Sequence, residues 1–417
     1  MNLRLLLPLF LCLTTAHLPA QLVVGPKESE VAEAMDLAIA HLLKSQESYD
    51  VRRDPLANRR RRGDGEAETH PMEAGAEWPY EGVYRSQGPQ GLMPIPPGYR
   101  VGGTAICCLA ILEAPGFGKD PARGEAFQKG LTFVMDFMEG NPEMDATFVE
   151  GYDVRGWGHT YALTLALRAL AQNGLLDEAT ATRLKRTTRW LISTLEKSEI
   201  GGRGGWNYAR RSRGKEPAQA STFMTAPTVL ALLQAKSQGF EVDDGVLNRA
   251  VASLEAARLP DLGTFQYGTG PGKGSARTSW EHPAGSSGRS AVCELALHVA
   301  GKGSEERLRA AIMQFMVYWD ELKARHQGTG THIPEHYMIA PYYFYFAHTY
   351  TALAIEQLPK EERGRLRQSF RELLFRTREK DGTWNDRVFP RSSSFGSAMS
   401  VLALCAPRIE GWFPKRP

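Results

Sequence analysis

The chain repeats a punctuation mark. Glycine stands just before a large aromatic in "RGGWNY" (Gly204, Gly205, Trp206), "EKDGTWND" (Gly382, Trp384) and "LGTFQY" (Gly263, Phe265). Related strings are "EWPYEG" (Trp78, Tyr80), "YDVRGWGH" (Gly156, Trp157) and, in a weaker copy, "GTGTHI" (Gly330, Ile333). Glycine ends a helix by taking the left-handed backbone without strain, so each mark reads as a helix stop followed by a ring. Such self-similarity constrains the fold strongly. A repeating unit that cannot bury its own apolar face must stack on its neighbour.

An apolar helix follows each mark. The centres read Leu-Ala-Leu or a close variant, at Leu109, Leu165, Leu230, Leu295, Leu353 and Leu402, 49 to 65 residues apart. Five positions before these leucines stand Thr104, Thr160, Thr225, Ser290, His348 and Ser397. Five of these six are hydroxyls, suited to a first helical turn where free N–H groups need acceptors. Charge-rich amphipathic helices alternate with the apolar set, near 28–46, 121–139, 177–198, 243–257, 304–325 and 360–380. A stretch such as "YYFYFAHTYTALAIEQL" is apolar nearly all round and needs cover on both faces, whereas "EERGRLRQSFRELLFRTREK" needs it on one. Two concentric rings satisfy both. The expected fold is therefore all-α, an α/α toroid (α6/α6 barrel) of six inner and six outer helices carrying those leucines on the inner ring. An open solenoid would need polar capping repeats.

Composition adds limits. The 417 residues carry 42% hydrophobic and 23% charged residues, an ordinary globular balance, and a formal charge of +3 argues for no nucleic-acid partner. Residues 1–20 read as a signal peptide: Arg4, an apolar run from Leu5 to Leu13 too short for a bilayer, then small residues with cleavage after Ala16 or Ala20. This implies a secreted or periplasmic protein. Residues 21–417 read as one toroid domain with a long Arg-, Gly- and Pro-rich insertion at about 47–100. No later run is long and apolar enough to span a membrane. Cys107, Cys108, Cys293 and Cys405 lie in apolar helices and read as small buried hydrophobes. "HIPEH" (His332 to His336) has the spacing of one zinc-peptidase class, but Pro334 interrupts the helix that chemistry needs. No metal or cofactor is expected.

Outer helix, Gly-x-Trp turn and Leu-Ala-Leu inner helix, best seen from Phe370 to Trp384, together resemble the prenyltransferase and squalene-oxidase repeat family over roughly residues 28–407. That family includes squalene–hopene cyclases and protein prenyltransferase β-subunits, and the resemblance implies an α/α toroid. Its catalytic signatures are missing. Where the family carries Gln before the glycine, Arg378 stands here, although Gln46 keeps it in the first repeat. The nearest string to the cyclases' Asp-x-Asp-Asp acid is Glu241-Val242-Asp243-Asp244, which opens an outer helix where acids favour the N-terminus. The Asp-x-Cys zinc pair of the prenyltransferases is absent.

Two functional classes follow. The first is a non-catalytic binding or scaffold toroid, favoured by the missing motifs. The alternative is a lyase or hydrolase acting on an acidic glycan, and a terpene cyclase-like enzyme is third. Since every mark precedes an inner helix, the inner helices are expected to run parallel, with their partly positive N-termini at one rim. Arg155, Arg210, Arg211 and Arg289 would pair there with carboxylate or sulfate groups, and Trp206 and Tyr208 would stack on sugar rings. Asp153, His159, Glu281, His282, Glu335 and His336 are the proton-transfer candidates. The expected partner is an anionic glycan or other small anion.

Overall fold

The computed structural model describes residues 25–48, 75–82, 87–88, 91–92, 94–141, 144–145, 154–201, 204–208, 219–269, 281–326, 328, 337, 344–409 and 411–414. The signal-peptide expectation and most of the insertion lie outside them. In chain order the described helices are α1 (Glu28–Ser45), α2 (Pro97–Glu113), α3 (Pro121–Gly140), α4 (Arg155–Leu170), α5 (Glu178–Ser198), α6 (Thr222–Ser237) and α7 (Asp244–Ala257). They continue with α8 (Pro283–Val299), α9 (Glu305–Val317), α10 (Trp319–His326), α11 (Phe344–Ile355), α12 (Lys360–Phe375) and α13 (Ser392–Cys405). The described strands are two-residue antiparallel pairs that stitch loops together, such as Glu47–Ser48 with Ala76–Glu77.

The inner ring is α2, α4, α6, α8, α11 and α13. Each packs on the next, and α13 returns to α2, so the ring closes. All six signature leucines are at most 3% exposed. The outer helices show one buried stripe each. On α5 it is Leu184, Thr188, Leu191, Ile192 and Leu195, and the Asp177 side chain caps the helix by accepting from Thr180 N at 2.7 Å. The two ends of the chain meet where α1 packs between α13 and α2. There His41 Nε2 lies 3.0 Å from Ser393 Oγ, and Arg371 pairs with Glu28. Glycines allow the close crossing of α2 and α4: a Cβ on Gly98 would stand 2.1 Å from Val154 O. Cys107, Cys108, Cys293 and Cys405 are free and buried.

The aromatic marks are rivets between repeats. The Trp206 indole N–H donates to Leu195 O in the last turn of α5 at 2.8 Å, while its backbone N–H donates to Thr225 Oγ1 on α6 at 3.1 Å. Trp78 does the same between Leu42 O and Thr104 Oγ1, and Trp384 between Leu374 O and Ser397 Oγ. Each ring thus satisfies a carbonyl left open by the end of an outer helix. Thr104, Thr225 and Ser397 thus cap the aromatic's own backbone N–H, rather than their helix's first turn. Gly205 (φ 84°) and Gly382 (φ 86°) supply the left-handed backbone beside two of these rings. In the fourth repeat Phe265 N donates to Ser286 Oγ, which in turn lies 2.9 Å from Ser290 Oγ.

Two expectations are corrected here. The fifth outer helix, expected over 304–325, breaks at Tyr318 into α9 and α10, because Trp319 turns inward to donate from Nε1 to His348 Nε2 at 2.9 Å. That bond is why His348 replaces the hydroxyl in this repeat. Trp157, expected in the loop that precedes its inner helix, is the third residue of α4 and packs against Tyr99, Tyr161 and Phe395. The Gly330–Ile333 copy lies outside the described residues.

Candidate functional site

The first turns of the inner helices meet in an aromatic cluster. Trp157 and Tyr161 of α4 pack edge to face at 4.9 Å, Trp157 lies 5.4 Å from Tyr99 of α2, and 5.9 Å from Phe395 of α13. Phe346 of α11 lies 4.7 Å from Tyr350 and 5.6 Å from Phe223 of α6. All but Tyr350, the seventh of the twelve residues of α11, come from the N-terminal halves of their helices, so those N-termini share one end of the ring. At the axis the Tyr350 hydroxyl donates to the Tyr161 hydroxyl at 3.3 Å. The helices α4 and α11 are three places apart in a ring of six, so this bond spans the axis and forms a floor.

A carboxyl stands beside that floor. Asp386 Oδ2 accepts from the Tyr80 hydroxyl at 2.6 Å, and Oδ1 accepts from Tyr345 N at 3.3 Å. Tyr80 stacks on Phe395 at 4.0 Å and lies 5.7 Å from Trp157. Burial pushes the Asp386 carboxyl up to about 6, against the lowering effects of Tyr80, Arg387 and the Tyr345 N–H. The neighbouring Arg387 donates to Gly82 O and Gly328 O. The pair Asp386 and Arg387 therefore ties the first repeat's loop to the last two repeats. Asp386 was not singled out from the sequence. The signal was available: two residues after each rivet stand Tyr80, Tyr208, Tyr267 and Asp386.

The predicted site residues divide. Asp153, Arg210, Arg211, Glu335 and His336 lie outside the described residues. Trp206 is a rivet, 2% exposed, and Tyr208 beside it is also buried. Arg155 donates to Asp145 O at 2.7 Å, and Arg289 donates to Phe265 O and Gly285 O, its guanidinium near the Phe223 and Tyr267 rings. His159 Nε2 lies 2.8 Å from Met144 O, its Nδ1 has no partner among the described residues, and burial lowers its pKa to about 3, leaving a neutral imidazole. Glu281 is buried at the start of α8. His282 caps that helix through Nδ1, accepting from Ala284 N at 3.2 Å, and stacks on Tyr337. Backbone strain marks the same end, because Val154, a β-branched residue just before α4, has φ 53°. Among the described residues no group of three or more His, Cys, Asp or Glu is placed to hold a metal, and no helix is long and apolar enough to cross a membrane.

The closed double ring defines the class, an all-α α/α toroid. Solved structures of that class match nearly the whole chain. The GH76A α-1,6-mannanase from Salegentibacter sp. aligns with a TM-score of 0.52 at 11% identity, covering 91% of this chain and 99% of that one. An inactive variant of that mannanase in complex with α-1,6-mannotriose aligns at 0.50 and 12%, covering 90% and 98%. A possible member of the GH105 family from Klebsiella pneumoniae subsp. pneumoniae aligns at 0.50 and 12%, covering 92% and 93%. No family model and no curated protein matches the chain. These neighbours overturn the prenyltransferase and squalene-oxidase resemblance: the likeness is to glycoside-hydrolase toroids. The repeat that prompted it is a property of the double ring, which hosts many chemistries. The non-catalytic repeat scaffold loses its support with it.

Proposed function

We propose that the chain acts on glycans as a hydrolase, with its substrate at the end of the ring where the inner-helix N-termini converge. The observation that carries this is the meeting, at that one end, of a floor of aromatic faces with the Asp386 carboxyl, whose pKa of about 6 lets it hold a proton near neutrality. The matched neighbours named as mannanase and GH105 member support the same class. Glycoside hydrolysis uses two carboxyl groups, one to protonate the leaving oxygen and one to act on the opposite face of the sugar. Asp386 is the proposed proton holder: when its carboxyl is protonated it donates to the Tyr80 oxygen and the Tyr80 O–H gives its own proton to the leaving oxygen, so the carboxyl ends ionised and the phenol neutral. Asp153, Glu281 and Glu335 are the proposed sources of the second carboxylate. The leader over residues 1–20 and export from the cytoplasm belong to this proposal.

The test is reducing-end release from a panel of neutral and acidic polysaccharides, with pH profiles of the wild type and Asp386→Asn. Activity of the wild type that falls as pH rises above about 6, and loss of that limb in the variant, supports the reading. A panel with no cleavage, or a profile unchanged by Asp386→Asn, overturns the hydrolase or the role of Asp386 respectively. N-terminal sequencing of the mature protein checks the leader, with Ala16 or Ala20 as the last residue removed.

A further inference from the structure

The two hydroxyls on the axis leave a donor over. Tyr161 and Tyr350 carry two O–H protons, and the 3.3 Å bond between them uses one. Neither hydroxyl has another hydrogen-bond partner among the described residues, and burial raises both pKa values, so both stay protonated at any working pH. Each ring nevertheless keeps a sliver of surface, 5% for Tyr161 and 8% for Tyr350, while Leu163, Leu165 and Leu167 on α4 have none. Trp157, edge-on to Tyr161, is 7% exposed. The residual surface on the axis therefore belongs to the three aromatic residues Trp157, Tyr161 and Tyr350.

The charges at this end are engaged elsewhere. Arg155, Arg289 and Arg387 all donate to main-chain carbonyls, of Asp145, of Phe265 and Gly285, and of Gly82 and Gly328. A carboxylate or sulfate brought over the floor would lose its hydration without meeting a described cation free to replace it. A neutral sugar has no such cost. Its C–H face packs on aromatic carbon, and its hydroxyls accept from a phenol.

We propose that the axial floor over Trp157, Tyr161 and Tyr350 is a subsite for one ring of a neutral glycan, and that this chain selects neutral over acidic chains there. The inference rests on the glycan reading above and names its substrate class, replacing the anionic ligand expected from the arginines. One bridging donor lost by Tyr161→Phe or Tyr350→Phe lowers affinity about five- to tenfold, the worth of a single net hydrogen bond.

Isothermal titration of the full chain tests it, using neutral manno- and cello-oligosaccharides and acidic oligogalacturonates against wild type, Tyr161→Phe, Tyr350→Phe and Trp157→Phe. Thermal melts confirm folding, and the Phe variants keep a ring in place so that the core stays filled. Binding of a neutral oligosaccharide, weakened in the tyrosine variants and indifferent to salt, is the expected result. Equal affinity in wild type and both tyrosine variants overturns the subsite while leaving glycan hydrolysis standing. Preference for oligogalacturonate with strong salt dependence overturns the neutral class. Failure of every oligosaccharide to bind, with no cleavage of any polysaccharide, removes both this inference and the reading beneath it.

Discussion

Two aromatic layers lie at the same end of the ring and are held in different ways. Around Trp206 the indole is wedged between an outer helix and the next inner helix, with both of its N–H groups satisfied by α5 and α6. Around Trp157 the rings lean on one another across the axis, and the hydrogen bond that crosses it joins two phenols. The first layer fixes one repeat to the next, so its polar groups are closed inward. The second closes the hole that six helices leave between them, and its residues keep a little surface, 5 to 8%. The lesson is that a buried aromatic declares its role through the partner of its polar atom more than through its burial.

The largest effects should come from the rivets. Trp206→Ala or Trp384→Ala removes a fully packed indole and leaves an outer-helix carbonyl open, and should cost roughly 3–5 kcal/mol in urea unfolding. A loss below about 1 kcal/mol in both would break the distinction between the layers.

The next effect is electrostatic. Asp386 has its pKa raised from 3.8 to about 6 in the fold. Its contribution to stability is therefore complete below pH 3.8 and is lost as pH rises through about 6, costing about 3 kcal/mol at neutral pH. Asp386→Asn should flatten this limb of the stability–pH curve. His159 and His348, with pKa values lowered from 6.5 to about 3, and His326, lowered to about 4, act in the opposite sense. Their stability is present above pH 6.5 and is lost as pH falls toward those values. Urea midpoints measured across pH 4 to 8 separate the two.

Smaller changes sharpen the comparison. Thr225→Ala or Ser397→Ala strands the backbone N–H of a buried tryptophan and should cost about 1–3 kcal/mol. Tyr161→Phe, on the floor, should change stability by about 1 kcal/mol or less, because its oxygen accepts a single weak bond from Tyr350.

The double ring was legible because its two signals are periodic and redundant. Amphipathic and all-apolar helices alternate, and every one of the six leucines reached the inner ring. Outer-helix ends fell within one residue, except where the last, expected to residue 380, stops at Phe375 and where Trp319 broke the fifth, a tertiary demand that no local propensity records. The candidate site was harder. Trp157 and Trp206 both follow glycine, but Trp206 stands 19 residues before its hydroxyl partner and Trp157 three before Thr160. That spacing separates a loop rivet from a helix residue, and the Gly-Trp pair alone conceals it. Arg155 and Arg289 illustrate a physical reason: a string shows the charge but not the main-chain carbonyls that take up a guanidinium. Asp386 was hidden as the last letter of a turn, until its alignment with Tyr80, Tyr208 and Tyr267 set it on the floor side.

The most direct test of the account is tryptophan emission under saturating neutral oligosaccharide. The chain has eight tryptophans, and the account assigns the response to Trp157 on the floor and none to the rivets. Wild type and Trp206→Phe should show the same ligand-induced change in intensity or wavelength, and Trp157→Phe should show almost none while remaining folded. A change that survives in Trp157→Phe and vanishes in Trp206→Phe would place the ligand at the seam between repeats and contradict the account.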